Sequence, residues 1–211
     1  MKIIKPYTEI IGDINGPEIL KKIEMVGRTC YKSEDRITDD SAEKFVAGLI
    51  KRGHEAMLEH ASFTVKFVVD RGVSHEIVRH RLASFAQEST RYCNYSKDDF
   101  GSEITFIKPL FLKEGTDGFE FWRSSCEFAE WSYFKMLDWG CTAQEARSVL
   151  PNSLKTELVM SANLREWRHF FKLRAANVTG KAHPQMLEVT RPLLDELKTL
   201  IPVVFDDITY E

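Results

Sequence analysis

The sequence predicts an α+β domain, because long amphipathic helices separate a few period-two strands without the regular strand-helix-strand rhythm of a doubly wound sheet. Its 211 residues suit one domain, 1–211, with a full hydrophobic core. Hydrophobic residues at 43% and charged residues at 29% exclude a disordered majority. The net charge of −3 excludes a general polyanion binder, so any anion site must be local and no nucleic acid is expected as a partner. Cys30, Cys93, Cys126 and Cys141 are far apart and form no CxxC pair, which reads as reduced thiols rather than a zinc ribbon or a disulfide framework. No run of about 18 apolar residues occurs, and MKIIKPYTEI lacks the apolar stretch of a signal peptide, so a cytoplasmic location away from membranes is expected.

Residues 18–27 predict a short helix with Ile19, Leu20, Ile23 and Val26 on one face. A second helix starts near Asp40 or Ser41, where Asp40 and Glu43 have capping-box spacing, buries Phe45, Val46, Leu49 and Ile50, and stops at Gly53. Phe63, Val65, Phe67 and Val69 alternate with Ser62, Thr64, Lys66 and Val68 as a strand that ends at Asp70-Arg71-Gly72. Ser74 then stands as the cap of a helix carrying Glu76, Arg79 and His80. Residues 103–109 read as a strand, and 118–139 as a long helix ended by Gly140, with Phe119, Trp122, Cys126, Tyr133 and Leu137 inward. Trp122, Trp131 and Trp139 at helical spacing read as core or subunit interface rather than a cofactor box. Thr142 and Glu145 form a second capping box for a helix stopped by Pro151, after which 156–162 is extended and 164–175 helical. The last helix, 184–200, opens with a proline and contains Pro192, which predicts a kink or break.

The chemistry is concentrated in residues 79–91, RHRLASFAQESTR, which hold Arg79, His80, Arg81, Ser84, Gln87, Ser89 and Arg91. Guanidinium groups are permanently charged, fork-shaped donors that suit phosphate and heterocycle carbonyls, and serine hydroxyls complete a phosphate shell. A phosphorylated, oxygen-rich ligand fits such a set. A solvated basic helix face is the bland alternative, but the form RHRxxSxxxxSxR fixes six positions and is sharper than a charge run. No GxGxxG and no GxxxxGK[ST] occurs, so neither a Rossmann unit nor a P-loop is expected.

That form resembles the signature of the flavin-dependent thymidylate synthases. Three further stretches resemble the same family: MLEHASFTVKF (57–67), ARSVLPNSL (146–154) and SANLREWRHFFKLR (161–174). The resemblance implies a single domain with a central, mostly antiparallel sheet flanked by long helices. It implies a homotetramer whose sites are shared between subunits. The implied reaction is reductive methylation of dUMP to dTMP, with methylenetetrahydrofolate as carbon donor, NADPH as reductant of a tightly bound FAD, and tetrahydrofolate as second product. The residues implied for dUMP are Glu76, Arg79, Gln87, Glu88, Ser89, Thr90, Arg91, Arg147 and Arg174. Those implied for FAD are Cys30, His60, Arg79, His80, Arg81, Gln87, Asn163, Arg165 and His169. Arg174 is the implied catalytic residue, favouring the ionised pyrimidine at N3. The chain departs from the family's habits at Glu76, where glutamine is common, at Ala86-Gln87, and at Cys30, where serine is common.

Cys93, two residues beyond Arg91, is read as an inert thiol rather than a covalent nucleophile. The pairs His54 with His60 and His75 with His80 fit no HExxH spacing, so no metal is expected. His183 before Pro184 reads as the end of a loop. Two other functions compete: an RNA or nucleotide module using Arg79, Arg81 and Arg91 with Phe85 and Tyr92 for stacking, and a different flavoprotein on the same scaffold, such as an NADPH oxidase.

Overall fold

A computed structural model describes residues 1–96 and 101–210. The described elements, in chain order, are β1 (Lys2–Ile4), β2 (Tyr7–Ile11), α1 (Gly16–Thr29), α2 (Ser41–Lys51), β3 (Ser62–Asp70), α3 (Arg71–Ile77), β4 (Ala83–Gln87), β5 (Thr105–Ile107), α4 (Asp117–Asp138), α5 (Ala143–Ala146), β6 (Lys155–Asn163), α6 (Leu164–Arg174) and α7 (Pro184–Leu200). The fold is α+β, as expected. One sheet runs β2-β3-β6-β4 and a smaller one pairs β1 with β5 in parallel. Strands β3 and β6 are antiparallel: Leu164 N–H donates to the Ala61 carbonyl, Thr64 and Ser161 hydroxyls meet at 2.7 Å, and Arg71 N–H donates to Leu154, so numbers fall along one strand as they rise along the other. Every second residue of β6, from Thr156 to Ala162, is buried.

The chain gathers into two compact units. One comprises Met1–Tyr7, Phe67–Arg79 and Phe85–Val159. Its core joins Tyr95, Ile104, Phe106, Cys126, Tyr133, Ala146 and Leu154. The other comprises Thr8–Lys66, His80–Ser84 and the chain from Met160 onward. Its core is aromatic: Trp167 stacks on Phe63 at 4.7 Å and meets Phe170 and Phe171, and Phe171 meets Phe205. Such ring pairs contribute beyond the area they bury.

Several local expectations change. Asp40 makes no cap bond to α2, because its carboxylate accepts from the Thr38 hydroxyl at 2.7 Å instead. The cap of α3 is Asp70, whose Oδ1 accepts from Val73 N–H at 2.8 Å, and Ser74 lies inside that helix with its hydroxyl on the Arg71 carbonyl. The carboxylate four residues earlier reaches the orphan donors first, so α3 starts sooner and ends before Arg79 and His80. Thr142 and Glu145 do form the expected capping box. Helix α7 runs unbroken through Pro192, where buried Val189, Leu193, Leu194 and Leu197 hold the helix against the lost backbone bond. Trp131 and Trp139 are largely exposed and are not core, while Trp122 donates its indole N–H to Ser153.

One buried cation organises the second unit. Arg168 is 1% exposed, and its guanidinium bonds to Glu55 at 2.9 and 3.1 Å, to Asp207 at 2.6 and 2.7 Å, and to the Val204 carbonyl. Burial opposes its charge, yet the bonds from Asp207 and Glu55 carry its pKa upward. Arg168→Met keeps most of the bulk and strands the two carboxylates. It is expected to lower stability by about 3 kcal/mol, at the low end for a broken buried pair because Asp207 is half-exposed and turns to water. Urea titration checks this, and an unshifted midpoint would show that the cluster stabilises nothing.

Candidate functional site

In the first unit, the last residue of β4 and those that follow it are drawn inward by their own side chains. The Gln87 amide nitrogen donates to Ser74 Oγ at 2.9 Å and to Thr156 Oγ1 at 3.2 Å. Both amide hydrogens are used, so Oε1 is the acceptor that Gln87 can offer a ligand. Glu88 accepts from Tyr95 Oη at 3.0 Å, from Lys155 Nζ at 3.0 Å and from Glu157 N–H at 3.2 Å. Its carboxylate thereby holds the loop rather than facing outward. Buried Thr90 accepts from Arg147 Nη1 at 3.1 Å, which places an exposed guanidinium beside the signature. Arg91 is exposed, its guanidinium lies over the Tyr92 ring at 5.5 Å, and its N–H donates to Ser89 Oγ. Arg79 is exposed and Glu76 partly buried. A cleft of about 510 Å³, lined by Ala86, Gln87, Glu88, Tyr95, Lys155 and Glu157, opens beside this segment.

In the second unit, α6 carries the donors. Asn163 caps it, accepting from Glu166 N–H at 2.9 Å. That cap uses Asn163 Oδ1 and leaves its amide nitrogen as the donor it can present. Arg165 and His169, four residues apart, are exposed on one face, and Arg165 pairs with Glu59 at 2.5 Å on the surface. His60 ends the 3₁₀ turn Glu55–His60 and is exposed, as is Arg81. Cys30 caps α1, exposed, with its thiol on the Val26 carbonyl.

His80 is the exception to this outward display. Its ring is 5% exposed, Nδ1 lies 3.3 Å from Glu166 Oε1, and Nε2 lies 3.2 Å from Arg174 Nε. A guanidinium only donates, so Nε2 must be the acceptor and Nδ1 must carry the proton. Burial, then the charges of Arg174 and His169, push the His80 pKa down to about 4. Burial raises the Glu166 pKa, against the lowering influence of His169. The contact of His80 with Glu166 is therefore a neutral N–H on a carboxylate and not an ion pair. His80, Glu166 and His169 also bring their ligand atoms within 4.8 Å of one another. A cation there would have to displace a proton from Nδ1 or the guanidinium from Nε2, so the group reads as a hydrogen-bonded chain rather than a metal centre.

Thr156, Lys155 and Glu166 carry no site signal in the sequence and Ser74 reads there only as a helix cap, although each orients an expected site residue. Glu166 carried a signal of another kind, because three residues after an Asn cap it reads as a first-turn acid.

The family model described as "Thymidylate synthase complementing protein" matches residues 13–203. A flavin-dependent thymidylate synthase of Pyrococcus furiosus is 33% identical over 172 residues, covering 81% of this chain and 68% of that protein. One of Geobacter sulfurreducens is 29% identical over 198 residues, covering 90% and 82%. The crystal structure of PolB, a UMP/dUMP methylase from Streptomyces cacaoi bound with 5-Br dUMP, shares the fold with a TM-score of 0.78 at 23% identity, covering 98% of this chain and 96% of that one. The class is that of the flavoprotein methyltransferases. Within it, the chain is an enzyme of the flavin-dependent thymidylate synthase family, the thymidylate synthase complementing proteins.

Cys93 has the environment of an unreactive thiol, since burial and then the charge of Glu88 push its pKa up. At pH 7 iodoacetamide is expected to label exposed Cys30 at least about tenfold faster than Cys93, because only the thiolate attacks. Peptide mass spectrometry of the labelled protein checks this, and equal rates would reveal an activated Cys93.

Proposed function

We propose that the chain, acting over 1–211 as one catalytic domain, converts dUMP to dTMP with methylenetetrahydrofolate as carbon donor and NADPH-reduced FAD as hydride carrier, releasing tetrahydrofolate. The observation that carries this reading is the held guanidinium of Arg174, whose Nε–H donates to buried, uncharged His80 at 3.2 Å. C5 of uracil is a poor nucleophile until negative charge accumulates in the ring. Arg174, aimed at that charge, favours the ring ionised at N3 and stabilises it without reorganisation. The relatives' name, flavin-dependent thymidylate synthase, supports the same chemistry here.

The second unit's residues fit a flavin in chemistry. Asn163 and Arg165 stand at the N-terminus of an 11-residue helix, where backbone N–H groups and the helix dipole favour an anionic pyrophosphate, and His169 lies one turn beyond Arg165 on the same face. His60, Cys30, Arg79, His80, Arg81 and Gln87 complete the set assigned to FAD. The exposed Arg165 pair with Glu59 is a surface pair, worth little on its own, that an anionic ligand can exchange. For dUMP, Ser89, Thr90 and Arg91 hold the phosphate, with Arg147 set by Thr90, while Gln87 offers Oε1 and Arg79 lies near the nucleotide. Glu76 and Glu88 shape this side, Glu88 by fixing the loop through Lys155 and Tyr95. The enzyme works as a homotetramer with shared sites and acts in the cytoplasm. No described helix is long and apolar enough to cross a membrane.

Release of the C5 hydrogen of dUMP, dependent on both NADPH and methylenetetrahydrofolate, is the decisive assay. Its absence in folded, flavin-loaded protein would overturn the proposal. Arg174→Ala is expected to keep its flavin colour while turnover falls about 10²- to 10³-fold, the usual loss for one donor aimed at developing charge. Wild-type turnover in that variant would remove the role assigned to Arg174. Arg91→Lys replaces a fork with a point charge and should weaken dUMP binding about tenfold by calorimetry. An unchanged affinity would place the phosphate elsewhere.

A further inference from the structure

We propose that His80 is a positioning residue for Arg174: its unprotonated Nε2 orients the guanidinium toward the pyrimidine, and Glu166 holds His80 in the tautomer that leaves Nε2 free to accept. The inference rests on the reading that Arg174 faces the nucleotide.

The geometry follows from the helix period. Glu166, Phe170 and Arg174 lie four residues apart on α6 and so share one face. The His80 ring lies along that face, with Nδ1 on Glu166, its edge against Phe170 at 4.9 Å and its Nε2 on Arg174. His169 packs against the ring at 5.8 Å. Among the described residues, the charged and titratable groups seen to meet the ring are Glu166, His169 and Arg174. Phe170 and the surrounding burial keep water from competing for the two nitrogens.

The chemical logic lies in the kind of acceptor. Arg174 sits at the last position of α6, where a long side chain has many rotamers to lose. A carboxylate at Nε would fix it but would also form an ion pair and take up the positive charge required at the pyrimidine. A neutral imidazole accepts the same hydrogen bond without adding a negative charge of its own. The negative charge that sets the tautomer, on Glu166, is one ring further away. Imidazole has one donor and one acceptor nitrogen when neutral, so it passes orientation along without passing charge. Protonated His80 would lose the acceptor and set two cations side by side, and burial with the charges of Arg174 and His169 holds its pKa down at about 4, which prevents this near neutrality.

The test uses the flavin-loaded protein and four variants: His80→Phe, His80→Gln, Arg174→Ala, and His80→Phe combined with Arg174→Ala. His80→Phe keeps the ring and deletes both nitrogens. It is expected to lower kcat about 10- to 100-fold, the range for losing a hydrogen bond to a charged group, with a smaller change in KM. His80→Gln, which offers an acceptor, should recover part of that loss. In the Arg174→Ala background, His80→Phe should cause no further loss, since a residue acting through Arg174 has nothing left to orient. An equal fold-loss in both backgrounds would overturn the proposal and assign His80 an independent role. A second readout does not depend on turnover or on the variants at His80 folding. In nitrogen-15 spectra of selectively labelled histidine, the His80 ring should show a protonated Nδ1 and a bare Nε2, and should titrate near 4. In Arg174→Ala that titration should move upward, toward the ordinary 6.5. The opposite tautomer, or a titration indifferent to Arg174, would overturn the proposal. Wild-type protein that fails to release the C5 hydrogen of dUMP would sink the synthase reading instead, and the spectra would still decide the hydrogen-bonded chain.

Discussion

One hydrogen bond, from Glu166 N–H to Asn163 Oδ1 at 2.9 Å, sets the residue at which α6 begins and with it the direction of every functional side chain that the helix carries. A start one residue later would turn each of them by about 100° about the axis. With the cap where it is, Glu166, Phe170 and Arg174 point to the buried His80, while Arg165 and His169 stay exposed. The strand before the cap enforces the same register. Its alternate residues from Thr156 to Ala162 are buried, so β6 delivers Asn163 to the helix start in only one orientation.

The two units manage charge differently. In the first, Glu88 is surrounded by Lys155 Nζ, the Tyr95 hydroxyl and a backbone N–H, so its negative charge is neutralised before any anionic ligand arrives. Tyr95 responds with a strongly raised pKa, from burial first and the charge of Glu88 next, and stays a hydroxyl donor. In the second, Arg168 is compensated by Glu55 and Asp207 and serves the fold, whereas the Nε–H of Arg174 donates to the uncharged ring of His80. The two arginines are six residues apart on one helix, one held by carboxylates and the other resting its Nε–H on an imidazole.

Much of this was legible in the sequence. Period-two alternation marked β3, helical spacing marked α1, α2, α4 and α6, and Thr142 with Glu145 marked the start of α5. The cluster at 79–91 announced itself by density of donors alone. What was hidden depended on partners distant in sequence. β1 is three residues long, too short for a periodic signal, and exists because Lys2, Ile3 and Ile4 lie beside Thr105, Phe106 and Ile107, the β5 strand that the reading of 103–109 does contain. β4 reads ASFAQ with no alternation of polarity, and pairing rather than propensity makes it a strand. The roles of Ser74, Thr156 and Glu166 required contacts made 13, 69 and 86 residues away. Asp40 and Ser74 misled because cap residues compete locally, and the nearest alternative bond decides.

The order of residues in Arg79-His80-Arg81 has a physical reason once burial is known. Exposure alternates along the three, with both arginines outward and the middle residue inward. The inward position is closed to water and bounded by Glu166 on one side and Arg174 on the other. A guanidinium there would need to shed no proton, accept no hydrogen bond, and repel Arg174; an amide could satisfy both neighbours but lacks the rigid ring that spans two turns of α6. Of the side chains in this cluster, only imidazole discards its charge at neutral pH while still offering a donor and an acceptor on opposite edges. The outward positions face the reverse demand, a permanent charge in water, which histidine at neutral pH does not supply. Exchanging His80 with either neighbour would therefore set two guanidinium groups side by side inside, with no acceptor for the Nε–H of Arg174, and leave outside a ring that is uncharged at neutral pH.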